Sequence, residues 1–258
     1  MKNFVLAALI LSVSLKPHAA VVTKMIEYKQ DETILQGYLA YDDAVVQKRP
    51  GILVVHDWMG FGPFANKKAL ELAQLGYTAL AVDIYGKGVR PKNTDEAGAL
   101  AGIYKKDRDL LRKRILAGYE TLKKQETVDS SKIAVMGFCF GGTTALELAR
   151  SGAPIKGAVS FHGGLSTLKP EDAKNIKAKI LALHGADDPF VPASEVESFE
   201  KEMNDASVDW QLVKYSGAVH AFTNPAAGHD NSKGAAYNER ADKRSWIAMK
   251  DFFEEIFR

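Results

Sequence analysis

A series of short apolar runs, each stopping abruptly and each followed by a stretch of helical periodicity, constrains the fold of this chain more than any other feature. The runs are Gly51–His56 (GILVVH), Thr78–Asp83 (TALAVD), Ile133–Phe138 (IAVMGF), Ala158–Phe161, Lys179–His184 and Trp210–Tyr215. Apolar and rich in β-branched residues, they read as strands buried on both faces, which is how parallel strands read. Between and after them lie helical segments. Lys67–Leu75 ends at Gly76, a good C-cap. Asp107–Gln125 carries Leu110, Leu111, Ile115, Tyr119 and Leu122 on one face. Gly141–Ala149, Ala193–Met203 and a closing Ala235–Phe257 complete the set. Two opening strands, Val21–Tyr28 and Thr33–Tyr41, are joined by a polar turn. Strand and helix alternating at this interval predict an α/β domain with a mainly parallel central sheet and helices on both faces. In such a sheet the functional site forms at the carboxyl ends of the strands. Two loop-like stretches, Lys87–Thr94 and Asn224–Gly234, follow strand ends and are placed to border a pocket. No repeat or linker divides the chain, so residues 21–258 form one domain.

Residues 1–20 read differently. Lys2 precedes an apolar run, Phe4–Leu15, that Lys16-Pro17 breaks before Ala19-Ala20. The run is about 12 residues, short of the roughly 20 that cross a bilayer and right for the apolar region of a cleavable signal peptide. The leader implies export, to a periplasm, and no later run is long and apolar enough to span a membrane. Lys and Arg number 34 against 32 Asp and Glu. Lys2 and Lys16 account for the excess, so the exported chain is balanced. Without a basic block there is no electrostatic case for nucleic acid. One cysteine permits no intramolecular disulfide and no zinc finger.

That single cysteine sits in Gly137-Phe138-Cys139-Phe140-Gly141-Gly142, between a strand and a helix. This is the context of a nucleophile elbow: small residues permit a sharp strand-to-helix turn with the nucleophile at its tip. The helix N-terminus beside it favours a thiolate. A nucleophile of this kind needs a base, and the base an orienting acid. Two acids, Asp187 and Asp188, follow the strand Lys179–His184, and His220 follows the strand Trp210–Tyr215. Nucleophile, acid and histidine thus come in hydrolase order, each just past a separate strand. The other histidines fit less well. His56 precedes the nucleophile, His162 and His184 precede the acid, and His229 lies in a polar loop. None pairs at metal-ligand spacing, so no metal is expected. The loop His56-Asp57-Trp58-Met59-Gly60 follows an earlier strand and occupies the place of an oxyanion loop. Its Trp58 N–H and the Phe140 N–H are the expected oxyanion donors.

The elbow GFCFGG, the turn His184–Pro192 and the stretch Tyr215–Phe222 resemble the dienelactone hydrolase (carboxymethylenebutenolidase) family of the α/β-hydrolase superfamily, over most of the chain from about Lys24 onward. The resemblance implies an α/β-hydrolase fold, no cofactor, and a triad of Cys139, Asp188 and His220, with Asp188 selected over Asp187 by the family pattern. It also implies that Asp57 modulates the thiol, although the family residue there is usually Glu. Lys87 stands where the family carries an arginine for an anionic substrate, and with Tyr85 and Phe222 it forms the expected substrate-binding set. Ala221 and Asn224 replace polar and cationic groups of the dienelactone enzymes, which weakens a bidentate carboxylate clamp. The expected function is hydrolysis of a small ester or lactone through an acyl-thiol intermediate. Two other readings stand beside it: a thiol redox sensor, and a hydrolase fold used only for binding.

Overall fold

The computed structural model describes residues 21–258; the leader expected over residues 1–20 lies outside them. Within the described residues eight strands form one sheet: β1 (Val21–Gln30), β2 (Thr33–Asp42), β3 (Arg49–Val55), β4 (Thr78–Val82), β5 (Val128–Phe138), β6 (Gly157–Phe161), β7 (Lys179–Gly185) and β8 (Trp210–Tyr215). Their spatial order is β1-β2-β4-β3-β5-β6-β7-β8. The β1–β2 and β2–β4 pairs are antiparallel and the rest are parallel. The expected α/β architecture is therefore present, with its antiparallel part confined to one edge.

Among the described residues six α-helices cover the sheet: α1 (Pro63–Gln74), α2 (Thr94–Lys106), α3 (Arg108–Lys123), α4 (Phe140–Arg150), α5 (Ala193–Asp205) and α6 (Glu239–Phe257). The pleat divides the strands between two cores. Ile52 and Val54 of β3 face α1 and α6, meeting Leu72, Met249 and Phe253. Leu53 and Val55 face α3 and α4, meeting Ile115, Leu122 and Leu146. No helix among the described residues is long and apolar enough to cross a membrane.

Helix ends follow from local chemistry. α1 starts with Pro63 in its first turn, where a missing N–H costs nothing. It stops at Gly76, held at φ 92°, with Gly76 N–H donating to Ala73 C=O at 3.0 Å and Tyr77 N–H to Leu72 C=O at 3.2 Å, a Schellman closure. Asp107 caps α3 by accepting from Leu110 N–H at 2.8 Å. Two boundaries differ from expectation. α2 occupies a stretch with no helix expected; it is capped by Asn93, which accepts from Glu96 N–H at 2.9 Å. α6 begins at Glu239 rather than Ala235, because Ala235 bridges to His220 and Asn238 caps the helix.

Register aligns the strand ends. Val55 pairs with Gly137, Phe138 with Phe161, and Phe161 with Leu183. His56, Cys139, His162 and His184 therefore line up at the carboxyl ends of β3, β5, β6 and β7.

Glycines separate two regimes of substitution. A Cβ on Gly141 would lie 2.3 Å from the Val55 carbonyl oxygen, whereas one on Gly102 of α2 would meet nothing within 4 Å. Gly102→Ala should raise the unfolding free energy by about 0.5–1 kcal/mol, since alanine loses less conformational entropy in a helix. Gly141→Ala should lower it by more than about 2 kcal/mol or abolish folding, because the obstacle is backbone on both sides. Urea unfolding of the two variants beside the parent tests the contrast.

Candidate active site

Cys139 stands at the tip of the turn between β5 and α4 with φ 54° and ψ −115°, a region that costs a non-glycine residue of order 1–3 kcal/mol. Its neighbours explain how the turn is held. A Cβ on Gly137 would lie 2.0 Å from the Gly141 carbonyl oxygen, and one on Gly142 would lie 2.6 Å from Ser160 Oγ. Both glycines are required by close approach. Cys139 N–H donates to Phe161 C=O at 3.0 Å, which ties the strained residue to β6.

The three residues read as nucleophile, base and acid meet here. Cys139 Sγ lies 2.9 Å from His220 Nε2, and His220 Nδ1 lies 2.8 Å from Asp188 Oδ2. Asp188 rather than Asp187 is the partner. Its side chain is fully buried, and its second oxygen accepts from Phe190 N–H at 2.8 Å. His220 is held by a short parallel bridge: its N–H donates to Gly234 C=O at 3.1 Å, and its C=O accepts from Ala236 N–H at 3.0 Å. Burial lowers the His220 pKa; the charges and hydrogen bonds of Cys139 and Asp188 outweigh it and push the value up to about 10.

The expected oxyanion donors are free. Neither the Trp58 N–H nor the Phe140 N–H donates to an acceptor among the described residues. The elbow abuts their loop, since a Cβ on Gly141 would also lie 2.5 Å from the His56 carbonyl oxygen. Asp57 turns its carboxylate onto its own loop, accepting from Met59 N–H at 2.8 Å, and forms no hydrogen bond to Cys139. Burial holds its carboxyl above the usual range, opposed by the Met59 N–H and by His56 and His220.

The expected substrate-binding set needs correction. Lys87 ion-pairs with Glu27 on β1, at the edge of the sheet. The cation facing the site is Arg90, which lies over the Phe61 ring at 5.0 Å and 3.8 Å from Asp83 Oδ1. Phe222 is fully buried and packs against His162 and Tyr215, so it supports the His220 loop from below and does not line the pocket. Tyr85 is also buried, and its hydroxyl donates to the Trp58 carbonyl at 3.0 Å; it acts on the oxyanion loop. Burial, followed by the charges of Cys139 and Asp57, raises its pKa and keeps it a donor.

A cavity of about 420 Å³ opens between the oxyanion loop and the segment after His220. Its lining includes Asp57, Phe61, Phe64, Arg90 and Asn224. Phe190, 59% exposed, sets its ring 5.5 Å from that of His220 at 87° and shields one side of the base. Inspection of the sequence missed Phe190 as a site residue, although it lies two positions beyond Asp188. His162, set aside as a base because it precedes the acid, stands beside the site all the same: its Nε2 pairs with Thr223 Oγ1 at 2.8 Å and its ring lies 5.4 Å from that of His220. Burial, and then His220, hold His162 well below its ordinary pKa, so it packs there as a neutral ring.

Residues 35–257 match the model of the dienelactone hydrolase family. The chain is 30% identical to protein usf of Aquifex pyrophilus, over 90% of this chain and 98% of that protein. It is also 30% identical to an Aquifex aeolicus (strain VF5) protein provisionally named a carboxymethylenebutenolidase, over 91% of this chain and 99% of the relative. Among solved structures, a dienelactone hydrolase-like promiscuous phosphotriesterase from metagenomic libraries superposes with a TM-score of 0.87 at 37% identity. A protein named m3DLH superposes with 0.89 at 39% identity. Each comparison covers 93% of this chain and all of the other. With the fold, the elbow and these relatives in agreement, the chain belongs to the dienelactone hydrolase family, hydrolases that act on esters and lactones.

Proposed function

We propose that the chain cleaves a small ester or lactone through an acyl-thiol intermediate on Cys139, with His220 as proton carrier and Asp188 as its orienting acid. The observation that carries this reading is the continuous hydrogen-bond chain from Cys139 Sγ through His220 to Asp188, with steps of 2.9 and 2.8 Å. The Cys139 thiolate attacks the carbonyl carbon while the protonated His220 stands beside it. The carbonyl oxygen becomes an oxyanion between the N–H groups of Phe140 and Trp58. As the tetrahedral intermediate collapses, the C–O bond breaks and His220 gives its proton to the leaving alkoxide. The neutral imidazole then takes a proton from water, which attacks the thioester. Collapse of the second intermediate expels the thiolate and releases the acid, restoring the starting pair.

The cavity beside the Asp57–Gly60 loop has Phe61 and Phe64 in its lining next to the guanidinium of Arg90, which suits the apolar body of a small substrate whose carbonyl reaches past that loop to Cys139. A redox-sensing thiol has no use for an aligned acid behind the histidine, and Asp188 is fully committed to that position.

Mixing the full chain with p-nitrophenyl acetate should place one acetyl group on Cys139, read by intact mass and peptide mapping. Cys139→Ala should lose the adduct, and His220→Ala should slow its formation by about 10³-fold or more. Hydrolysis persisting in Cys139→Ala overturns the reading.

The same geometry sets a pH dependence. The folded chain binds the His220 proton more tightly than the unfolded chain, where the pKa is near 6.5. The stability contributed by this group is therefore complete below about pH 6.5 and is lost as pH rises through about 10. Ring ¹⁵N shifts should show an imidazolium at neutral pH that titrates near pH 10, and Cys139→Ala should move the midpoint down. A ring already neutral at pH 8 in the parent contradicts this.

A further inference from the structure

His56 follows β3 directly and is almost fully buried. Its Nε2 lies 3.2 Å from Ile84 N–H, and its Nδ1 lies 2.6 Å from the Asp57 carbonyl oxygen. A backbone N–H only donates, so Nε2 carries the lone pair. The single proton of the neutral ring is then on Nδ1, and the ring donates it to Asp57 C=O. Protonating Nε2 as well would set its N–H against that of Ile84, and burial, the largest influence on the ring, disfavours the charged form.

The Asp57 carbonyl is one end of a peptide unit whose other end is the Trp58 N–H. That unit is planar and trans, like every peptide bond among the described residues. Fixing the direction of the C=O therefore fixes the opposite direction of the N–H. The same carbonyl also accepts from Gly60 N–H at 3.2 Å. The His56 ring touches the other half of the donor pair too, stacking on Phe140 at 5.9 Å and 21°. It meets Tyr85, which holds the next carbonyl, at 4.9 Å.

We infer that His56 is a positioning residue for acyl transfer: through its Nδ1–H it holds the Asp57–Trp58 peptide so that the Trp58 N–H points to where the oxyanion forms. This rests on the acyl-thiol reading above. An oxyanion donor is worth most when it is oriented before the charge appears, and an unclamped loop peptide would have to reorient during the reaction.

The test compares His56→Asn with His56→Gln in the full chain. Asparagine carries an N–H₂ group at the distance of Nδ1 from the backbone, whereas glutamine carries its amide one atom farther out, at the distance of Nε2. Both keep a polar side chain at position 56. Two reactions of Cys139 are measured: acylation by p-nitrophenyl acetate, which passes through an oxyanion, and alkylation by iodoacetamide. In alkylation the sulfur–carbon bond forms as iodide leaves, and no oxyanion appears. His56→Gln should slow acylation by about ten- to a hundred-fold, with the loss in kcat rather than KM, and His56→Asn should recover at least about tenfold of it. Alkylation should stay within about twofold of the parent in both. Equal acylation rates in the two variants overturn the inference, as does alkylation that falls in step with acylation, which is the mark of general damage to the site. A parent chain that is alkylated but never acylated overturns the acyl-transfer reading itself, and this inference with it.

Discussion

The site depends on how closely the first turn of α4 lies against the end of β3. The hydrogen that Gly141 carries in place of a Cβ leaves the helix against the carbonyls of Val55 and His56. This contact brings the first turn of α4, and with it Phe140, beside the loop that carries Trp58, directly after Cys139 with its positive φ. The strain at Cys139 has counterparts at His162 and Ala221, also at positive φ, all at this end of the sheet. Local strain of this kind persists only where its surroundings over-determine it. Here the surroundings are the two core layers and the register of four parallel strand ends.

α4 is kept in place from behind by charge. Arg150 is completely buried and pairs with Glu147 at 3.2 Å and Glu202 at 2.7 Å, while also donating to the Leu165 carbonyl at 2.8 Å. Arg112 joins Glu147 to Asp172. Glu195 receives the N–H groups of Leu165 and Ser166, and Thr143 Oγ1 donates to Gly164 C=O at 2.9 Å. Breaking one partner of such a network leaves an uncompensated buried charge, a penalty of about 3–5 kcal/mol. The network therefore resists sliding of α4 relative to the loop after β6, and so fixes the elbow at the helix's other end.

The legible parts of this molecule are those governed by local constraint. The strands were readable because burial on both faces forces continuous apolar runs. The alignment of Cys139, His220 and Asp188 was readable because each lies just past a strand end and the order of the three is restrictive. α2 was obscured by its small contacts: it buries only Ala97, Ala101 and Tyr104, which gives a weak stripe. Its Asn93 cap and the acidic residues Asp95 and Glu96 were the available signal. Lys87 was misplaced because its partner, Glu27, lies sixty positions earlier on an edge strand, beyond the reach of any local pattern. Phe222 was misplaced because the chain turns at Ala221, φ 57°, and sends the next ring into the core. His56 was passed over because chain order excluded it as a base, and chain order says nothing about a residue that acts through the backbone.

The acid of the oxyanion loop changes character with its length. The family position usually carries Glu, with reach toward the thiol; Asp57 is one methylene shorter and closes on Met59 N–H two residues ahead, a local Asx-type turn. The carboxylate thereby stiffens the loop that carries Trp58 and leaves His220 as the hydrogen-bond partner of Cys139. Asp57 stays close enough for its charge to bear on the same imidazole. The support behind the His220 ring and the shape of the loop that carries Trp58 thus fall to different carboxylates, Asp188 fully buried and Asp57 turned back into its own loop.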